Sequence, residues 1–493
     1  MFFKSTKDFW ALLFFLFIAF LLVYFVPTSF NKILFLGVLP LIWRTKKDYF
    51  WLAFFFIVDD IPGGLFSGGL ADDPYRLPLY TIASGISFSL RELYLILLFI
   101  KVLVKPEYRQ SFQKNYFSKE LLILFYYFLF LLFISILIGM TLNEFRNFYK
   151  ISINLTLFVS VPLILKNRQN FLYFLRAIFP FAIIAILLQI YSLVYGHQLV
   201  AIFEPGITSV QGVLTGDNSI ENWQRPIEMV HILLVCFCGT LFLINREEKY
   251  FKTGYLIIIN ILSFLGIFIT GTRSWFLALT ALYIFFFIMR FSQLSAVSLK
   301  RIFLIIALIA IISQVSVIKN QISNAWNRLS TIEKVAEGDI TAGGTASRFD
   351  VRAPRVMEGF KESTIIAGAG FSKLYYEYAD GHVGYHNMLL NAGITGMLLF
   401  FIIIAKAFIL PYNLSKSKHI SVQSKNELKA SFLLLLALLI INTGTQTLGY
   451  EPWGNNRYLL MVFSLIFINQ AVNNAMIEKY KYSQIMYKDY LMP

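Results

Sequence analysis

The segment Gly384-Tyr385-His386-Asn387-Met388-Leu389-Leu390-Asn391-Ala392-Gly393-Ile394-Thr395-Gly396 sets an imidazole just before a long apolar run. The spacing predicts a helix N-terminus at His386. The dipole there disfavours the imidazolium form, and a neutral imidazole is what a general base needs. Gly393 and Gly396 would let a second helix approach closely. The plain alternative is an interfacial histidine at a span end. A second candidate is Arg273. The stretch from Leu256 to Met289 is almost wholly apolar and is broken only by Gly271-Thr272-Arg273-Ser274. That tetrapeptide predicts a tight turn between two helices, with a guanidinium at the membrane boundary. An arginine there either snorkels or binds an anion. Third come Arg348, Arg352 and Arg355, whose spacing would share one helical face, although Pro354 predicts that a helix begins near it. Solvated pairing with Asp350, Glu358 and Glu362 is the alternative, and Gly368-Ala369-Gly370-Phe371 downstream reads as a turn.

Weaker candidates complete the set. Asp59-Asp60 and Asp72-Asp73 fall in a predicted loop and would suit a divalent cation, without an evident third ligand. Arg225 precedes Pro226 at the start of a span, and His231 follows about one turn in, where structure or gating competes with catalysis. Arg457, near Trp453 and Tyr458, reads as an interfacial anchor.

The elements that must position these residues are membrane helices. The chain has 493 residues, of which 57% are hydrophobic and 14% charged, and its mean hydropathy is +0.66. Soluble domains carry roughly a quarter charged residues. One water-soluble core cannot hide this much apolar surface. Apolar blocks long enough to span recur over 9–26, 33–43, 49–58, 88–104, 121–140, 149–165, 171–195, 226–244, 253–270, 274–290, 301–318, 387–411, 430–448 and 458–475. The second and third are short enough to be one re-entrant pair. The first has a charged start but no small-residue cleavage site, so it reads as a span and not a removed signal peptide. The fold class expected is all-α: one polytopic helical domain of about 12–14 spans over residues 1–493.

Charge orients the spans. The net charge of +15 is not gathered on one element, which argues against nucleic acid. Basic loops fall on one side: 44–47, 101–119, 166–176, 246–252, 290–301, 416–429 and 479–488. The positive-inside rule makes that side cytoplasmic, with both termini. The longer loops 59–87, 196–225 and 319–386 then face outward. The last is the largest, and Ile322, Trp326, Leu329, Ile332 and Val335 recur in it at the spacing of an amphipathic helix. Cys236 and Cys238 both lie inside an apolar run, which excludes a disulfide framework.

An arginine between two spans (Gly271-Thr272-Arg273-Ser274-Trp275), an outward loop bearing Ser347-Arg348, and the His386-Asn387 stretch at a span start together resemble the O-antigen ligase and O-antigen polymerase superfamily. The resemblance covers roughly residues 220–410. Thr272 stands where that family usually has serine. The resemblance implies a metal-independent, cofactor-free glycosyltransferase of the bacterial cytoplasmic membrane. Its donor would be a glycan on undecaprenyl diphosphate, used on the periplasmic or extracellular face. Arg273 and Arg348 would bind the diphosphate and His386 would be the base. Arg352, Arg355, Arg225, Asn387 and Tyr385 are expected to contact substrate.

The chemistry is consistent: fixed guanidinium groups stabilise the growing diphosphate charge without a metal, and in-line attack predicts inversion. Tyr375, Tyr376 and Tyr378 would stack on sugars or belt the interface, and grooves between spans would hold the prenyl tail. A polymerase is favoured over a ligase acting on lipid A core or protein. Other polysaccharide-assembly proteins are expected partners. A lipid-linked glycan flippase and an Asp59-Asp60 metal-dependent transferase are the rival readings.

Overall fold

The computed structural model describes residues 7–61, 79–83, 86–108, 114–195, 229–244, 251–290, 348–451 and 455–491, with a few isolated positions between. The predicted span 301–318, the amphipathic stretch 322–335, Asp72-Asp73 and Arg225 lie outside them. The described chain is almost wholly helical. In order it forms α1 (Lys7–Phe25), α2 (Thr28–Leu36), α3 (Val38–Arg44), α4 (Asp48–Asp60), a hairpin of β1 (Leu79–Ala83) and β2 (Ile86–Ser89), and α5 (Leu90–Val104). Next come α6 (Ser118–Ile138), α7 (Leu142–Leu155), α8 (Leu157–Ile164), α9 (Arg168–Ile178), α10 (Phe181–Tyr195), α11 (Val230–Leu243), α12 (Thr253–Ile269) and α13 (Arg273–Arg290). After a π-helical turn at Arg348–Arg352 come α14 (Ala353–Glu362), α15 (Lys373–Tyr378), α16 (Gly384–Ser415), α17 (Val422–Ala430), α18 (Leu433–Ile441) and α19 (Asn455–Leu491).

Six helical stretches among the described residues are long and apolar enough to cross a membrane: Lys7–Phe25, Ser118–Ile138, Glu144–Ile164, Arg168–Tyr195, Gly384–Ser415 and Asn456–Tyr482. Large apolar side chains point outward from them, including Trp10, Phe14 and Phe17 on α1 and Phe133, Ile136 and Leu137 on α6. In water such faces would drive aggregation; against lipid tails they are at home. The predicted span 430–448 is helical in its apolar part only over α18. Asn442 ends that helix, its Oδ1 accepting the N–H groups of Thr447 at 2.8 Å and Leu448 at 3.0 Å, and the chain continues as a buried irregular loop. The run Asn442-Thr443-Gly444-Thr445-Gln446-Thr447 is too polar to stay helical in lipid, and its backbone is tolerated because protein surrounds it.

The chain divides into two compact units. The first comprises Met1–Leu93, Leu175–Phe237 and Ile257–Arg355. In it α1 packs on α4 through Phe15 against Phe50 and Trp51, with ring centroids 5.8 and 5.4 Å apart. α11, α12 and α13 are tied by polar side chains in apolar surroundings: Asn260 Nδ2 donates to Phe237 O at 3.1 Å, and Tyr283 Oη donates to Asn260 Oδ1 at 2.6 Å. Such bonds hold helices together where burial against lipid gives no net drive. Cys236 and Cys238 are buried as free thiols.

The second unit comprises Tyr94–Phe174, Cys238–Leu256 and Val356–Pro493. α19 is its central helix. Gln470 Nε2 donates to Leu165 O at 2.7 Å, and Asn469 and Asn473 accept the N–H groups of Tyr116 and Lys114. Arg168 and the buried Glu427 form an ion pair at 2.7 Å.

The long helix α16 is broken at Gly393, whose φ of 62° and ψ of −172° leave helical space. The break is built and satisfied. Ala369 N donates to Leu390 O at 2.7 Å and Gly370 N to Asn391 O at 2.9 Å. Tyr127 Oη donates to Ala392 O at 2.6 Å, while Ile394 N and Thr395 N donate to Ile365 O and Ile366 O. The turn Gly368-Ala369-Gly370-Phe371 is thus the clamp on the break, with Phe371 packed on Phe128 and Phe148. Gly396 does permit close approach, by Tyr127 and Tyr450; Gly393 serves the break instead.

Candidate functional site

His386 lies in the first turn of α16, partly exposed, as the spacing predicts. No hydrogen-bond partner holds its imidazole among the described residues. The turn around it is fixed by its neighbours. Asn387 is buried: its Oδ1 accepts the N–H of Asp380 at 2.9 Å, and its Nδ2 donates to Gln446 Oε1 at 2.8 Å. Tyr385 Oη donates to Leu439 O at 2.8 Å. The polar atoms of Asn387 and Tyr385, expected at the substrate, are therefore engaged inside the unit, where they brace His386. Gly384 is required because a Cβ there would lie 2.6 Å from Asn442 Oδ1.

Glu451 is the residue that sequence reasoning missed. Tyr376 Oη donates to its Oε1 at 3.1 Å, and its Oε2 is sealed from solvent without a hydrogen-bond partner among the described residues. Burial pushes its carboxyl up to about 8, against the opposing pull of hydrogen bonds from Tyr376 and Tyr375. Gln446 lies between these tyrosines and the His386 turn: its side chain favours the ionised form of Tyr375 on one side, and its Oε1 accepts from Asn387 Nδ2 on the other. Its carbonyl accepts from Arg457 Nη1 at 2.5 Å. Arg457 is accordingly a brace on the 442–451 loop, which corrects its reading as an interfacial anchor. Burial raises Tyr375 well above the ordinary phenol range. Its ring is 3% exposed, so it is no platform for sugars. Tyr378 lies at the surface and donates to Glu362 at 3.2 Å.

The second unit also holds an apolar cavity of about 390 Å³. Leu121, Leu124, Phe125, Phe158 and Phe400 are among the residues that line it, and Tyr450 bounds it near the loop that carries Glu451. Its size falls within the range of small-molecule sites.

Arg273 and Arg348 belong to the first unit, as do Arg352 and Arg355. The turn before Arg273 forms as its composition predicts. α12 ends at Ile269, Gly271 takes a φ of 59°, its N–H bonds Phe268 O at 2.9 Å, and α13 starts at Arg273. Arg348 and Arg352 bound the π-helical turn, and α14 starts at Ala353 beside Pro354; Arg355 is exposed.

Asp59 and Asp60 are not loop residues. They close α4, where Asp59 pairs with Arg91, and Asp60 accepts from His231 Nδ1 at 2.5 Å and from Ile232 N at 2.8 Å. Carboxylates spent on an arginine, a histidine and a backbone amide make a poor cation site. No group of three or more metal-ligating side chains occurs among the described residues. Compared with known proteins, the chain matches no family model and no curated sequence.

Proposed function

We propose that this chain is a glycosyltransferase of the bacterial cytoplasmic membrane that joins undecaprenyl-diphosphate-linked oligosaccharide units, a surface-polysaccharide polymerase. The observation that carries the reading is His386. It is a partly exposed imidazole with no hydrogen-bond partner among the described residues, in a helical turn braced by Asn387, Tyr385 and the buried Glu451 network. In this reading the protein crosses the membrane about 12–14 times, both termini are cytoplasmic, and the His386 end faces outward. His386 takes the proton of the acceptor hydroxyl, whose oxygen attacks the anomeric carbon with inversion. Arg273 and Arg348 stabilise the departing diphosphate, and Arg352, Arg355 and Arg225 contact the donor. The 390 Å³ apolar cavity supports a donor with a hydrocarbon tail. Partners are the lipid-linked donor, a glycan acceptor, the bilayer and other assembly proteins.

A second reading, a lipid-linked glycan transporter, draws on the break in α16 at Gly393, since broken helices line transport sites. The break here is clamped by backbone bonds on both sides and carries no ionisable side chain, which favours a static role. The test is His386→Ala, beside Arg273→Ala and Arg348→Ala, in the producing cell, each at normal membrane level, with the surface glycan run on a gel. Loss of long chains, leaving single repeats on the final acceptor, supports the polymerase. Long chains accumulating on the lipid carrier indicate a ligase. An unchanged glycan in the His386 variant refutes the catalytic reading.

A further inference from the structure

The turn between α14 and α15 joins two charged helix ends through an uncharged segment. Ten residues without a charge, from Ser363 to Ser372, lie between Glu362 and Lys373. Ile365 and Ile366 stand out from it, 58% and 71% exposed. They continue an apolar surface of the second unit. Ile394 N donates to Ile365 O and Thr395 N to Ile366 O, both at 3.1 Å. That bonding joins the turn to α16 where Ile394, Leu398 and Ile402 form an exposed stripe, spaced by four residues on one helix face.

Depth decides what covers these isoleucines. The turn meets α6 and α16 well inside their apolar runs. Phe371 N donates to Ser135 Oγ at 2.6 Å, three residues before α6 ends at Ile138. Tyr127, eleven residues before that end, bonds Ala392 O beside the break, and Gly393 lies nine residues into α16. At about 1.5 Å per residue the turn sits roughly 5 to 16 Å below those helix ends. That is within one half of a hydrocarbon layer about 30 Å thick. At this level α6 exposes Phe130, Phe133, Ile136 and Leu137. Lys373 N, by contrast, donates to Gly139 O, so the first charge after the turn is back at the end of α6. Irregular backbone at such depth is tolerated only when protein covers its polar groups. Residues 367–372 are buried. Gly368 N donates to Thr364 O, Thr364 Oγ1 to Gly368 O and Asn391 Nδ2 to Gly370 O. The carbonyls of both exposed isoleucines are taken by α16. Lipid demands this satisfaction, and water does not.

We propose that residues 363–372 form a re-entrant wedge. It enters the hydrocarbon layer beside α16 from the end of the unit that carries His386, and returns to the same side. Ile365 and Ile366 are seated among the acyl chains of the bilayer, and Glu362 and Lys373 stay at its polar boundary. The stretch before α16 is thus not wholly an aqueous loop. The wedge that clamps the break at Gly393 also fixes its depth in the membrane. This inference needs only a membrane-embedded chain, and it stands or falls separately from the transferase reading.

The experiment places a nitroxide on the full chain, reconstituted in liposomes of phosphatidylethanolamine and phosphatidylglycerol. Cys236 and Cys238 are replaced by alanine, and Ile365→Cys, Ile366→Cys, Leu398→Cys and Lys361→Cys are labelled one at a time. Relaxation by oxygen, which concentrates in lipid, is compared with relaxation by a water-soluble nickel chelate. The expected result is that Ile365→Cys and Ile366→Cys behave like Leu398→Cys, open to oxygen and lost to nickel, while Lys361→Cys is open to nickel. Nickel access at 365 and 366 equal to that at Lys361→Cys overturns the proposal and makes the turn an aqueous loop. Shielding of both sites from both agents also overturns it, since the isoleucines then face protein. If the labelled variants fail to fold, the unaltered chain is photolabelled with a diazirine dissolved in the lipid and then digested. Carbene adducts on the 363–372 segment are expected, and their absence there beside adducts on α6 refutes the wedge.

Discussion

Glu451 makes stability a function of pH in a way that can be worked out. Its carboxyl is raised from an ordinary value of 4.5 to about 8 because it is buried. Between those values the folded protein holds a proton that the unfolded chain releases. The slope of unfolding free energy against pH is 2.303RT times the protons bound unfolded minus those bound folded, so it is negative here. Stability is full below the unfolded value and falls as pH rises to about 8, by about 1.4 kcal/mol per pH unit at most and up to about 5 kcal/mol across the window. Glu451→Gln keeps an oxygen for the Tyr376 hydroxyl and cannot ionise. The assay is a fluorescence melt in detergent between pH 5 and 8.5. The wild-type Tm is expected to fall by roughly 10 °C, at about 2–4 °C per kcal/mol. The Glu451→Gln protein is expected to vary much less and to be the more stable of the two near pH 8. Equal pH slopes for the two proteins would refute the assignment of Glu451 as a buried acid that is neutral below about pH 8.

Three further outcomes follow from the second unit. Tyr376→Phe removes the hydroxyl that favours ionised Glu451, so the pH at which the wild-type stability loss levels off moves upward in the same melts. Gly393→Ala forces a Cβ to 2.5 Å from Gly368 N at a φ of 62°; a loss of about 3 kcal/mol or more is expected, read as poor membrane accumulation and a lowered Tm. Arg168→Ala strands the buried Glu427 carboxylate and should cost about 3–5 kcal/mol, whereas the double change Arg168→Met with Glu427→Leu should recover most of it in the same melts.

How much of this was legible in the sequence depends on range. The helices were, because a run of apolar residues has one way to satisfy its backbone in lipid. The Gly271 turn and the start of α16 at His386 were legible for the same reason: each is a local interruption of such a run. The span 430–448 runs past its helix, because five polar residues and Gly444 follow directly on its apolar part. Gly393 read as a packing glycine; its role appears only once the distant turn at 366–371 supplies the bonds. Asp59 and Asp60 read as loop carboxylates because their partners, Arg91 and His231, lie far along the chain. Glu451 carried no signal at all: a lone acid in Gly-Tyr-Glu-Pro-Trp-Gly reads as a solvated turn until Tyr375, Tyr376 and Gln446 enclose it.

The most direct test of the central claim is elongation by the purified chain. The full protein, reconstituted in liposomes with an undecaprenyl-diphosphate-linked repeat, is assayed by gel and mass spectrometry for longer lipid-linked products, with EDTA present throughout. A ladder of products is expected from the wild type and none from a His386→Ala protein of equal Tm. No elongation by the wild type, or the same ladder from both proteins, would contradict it.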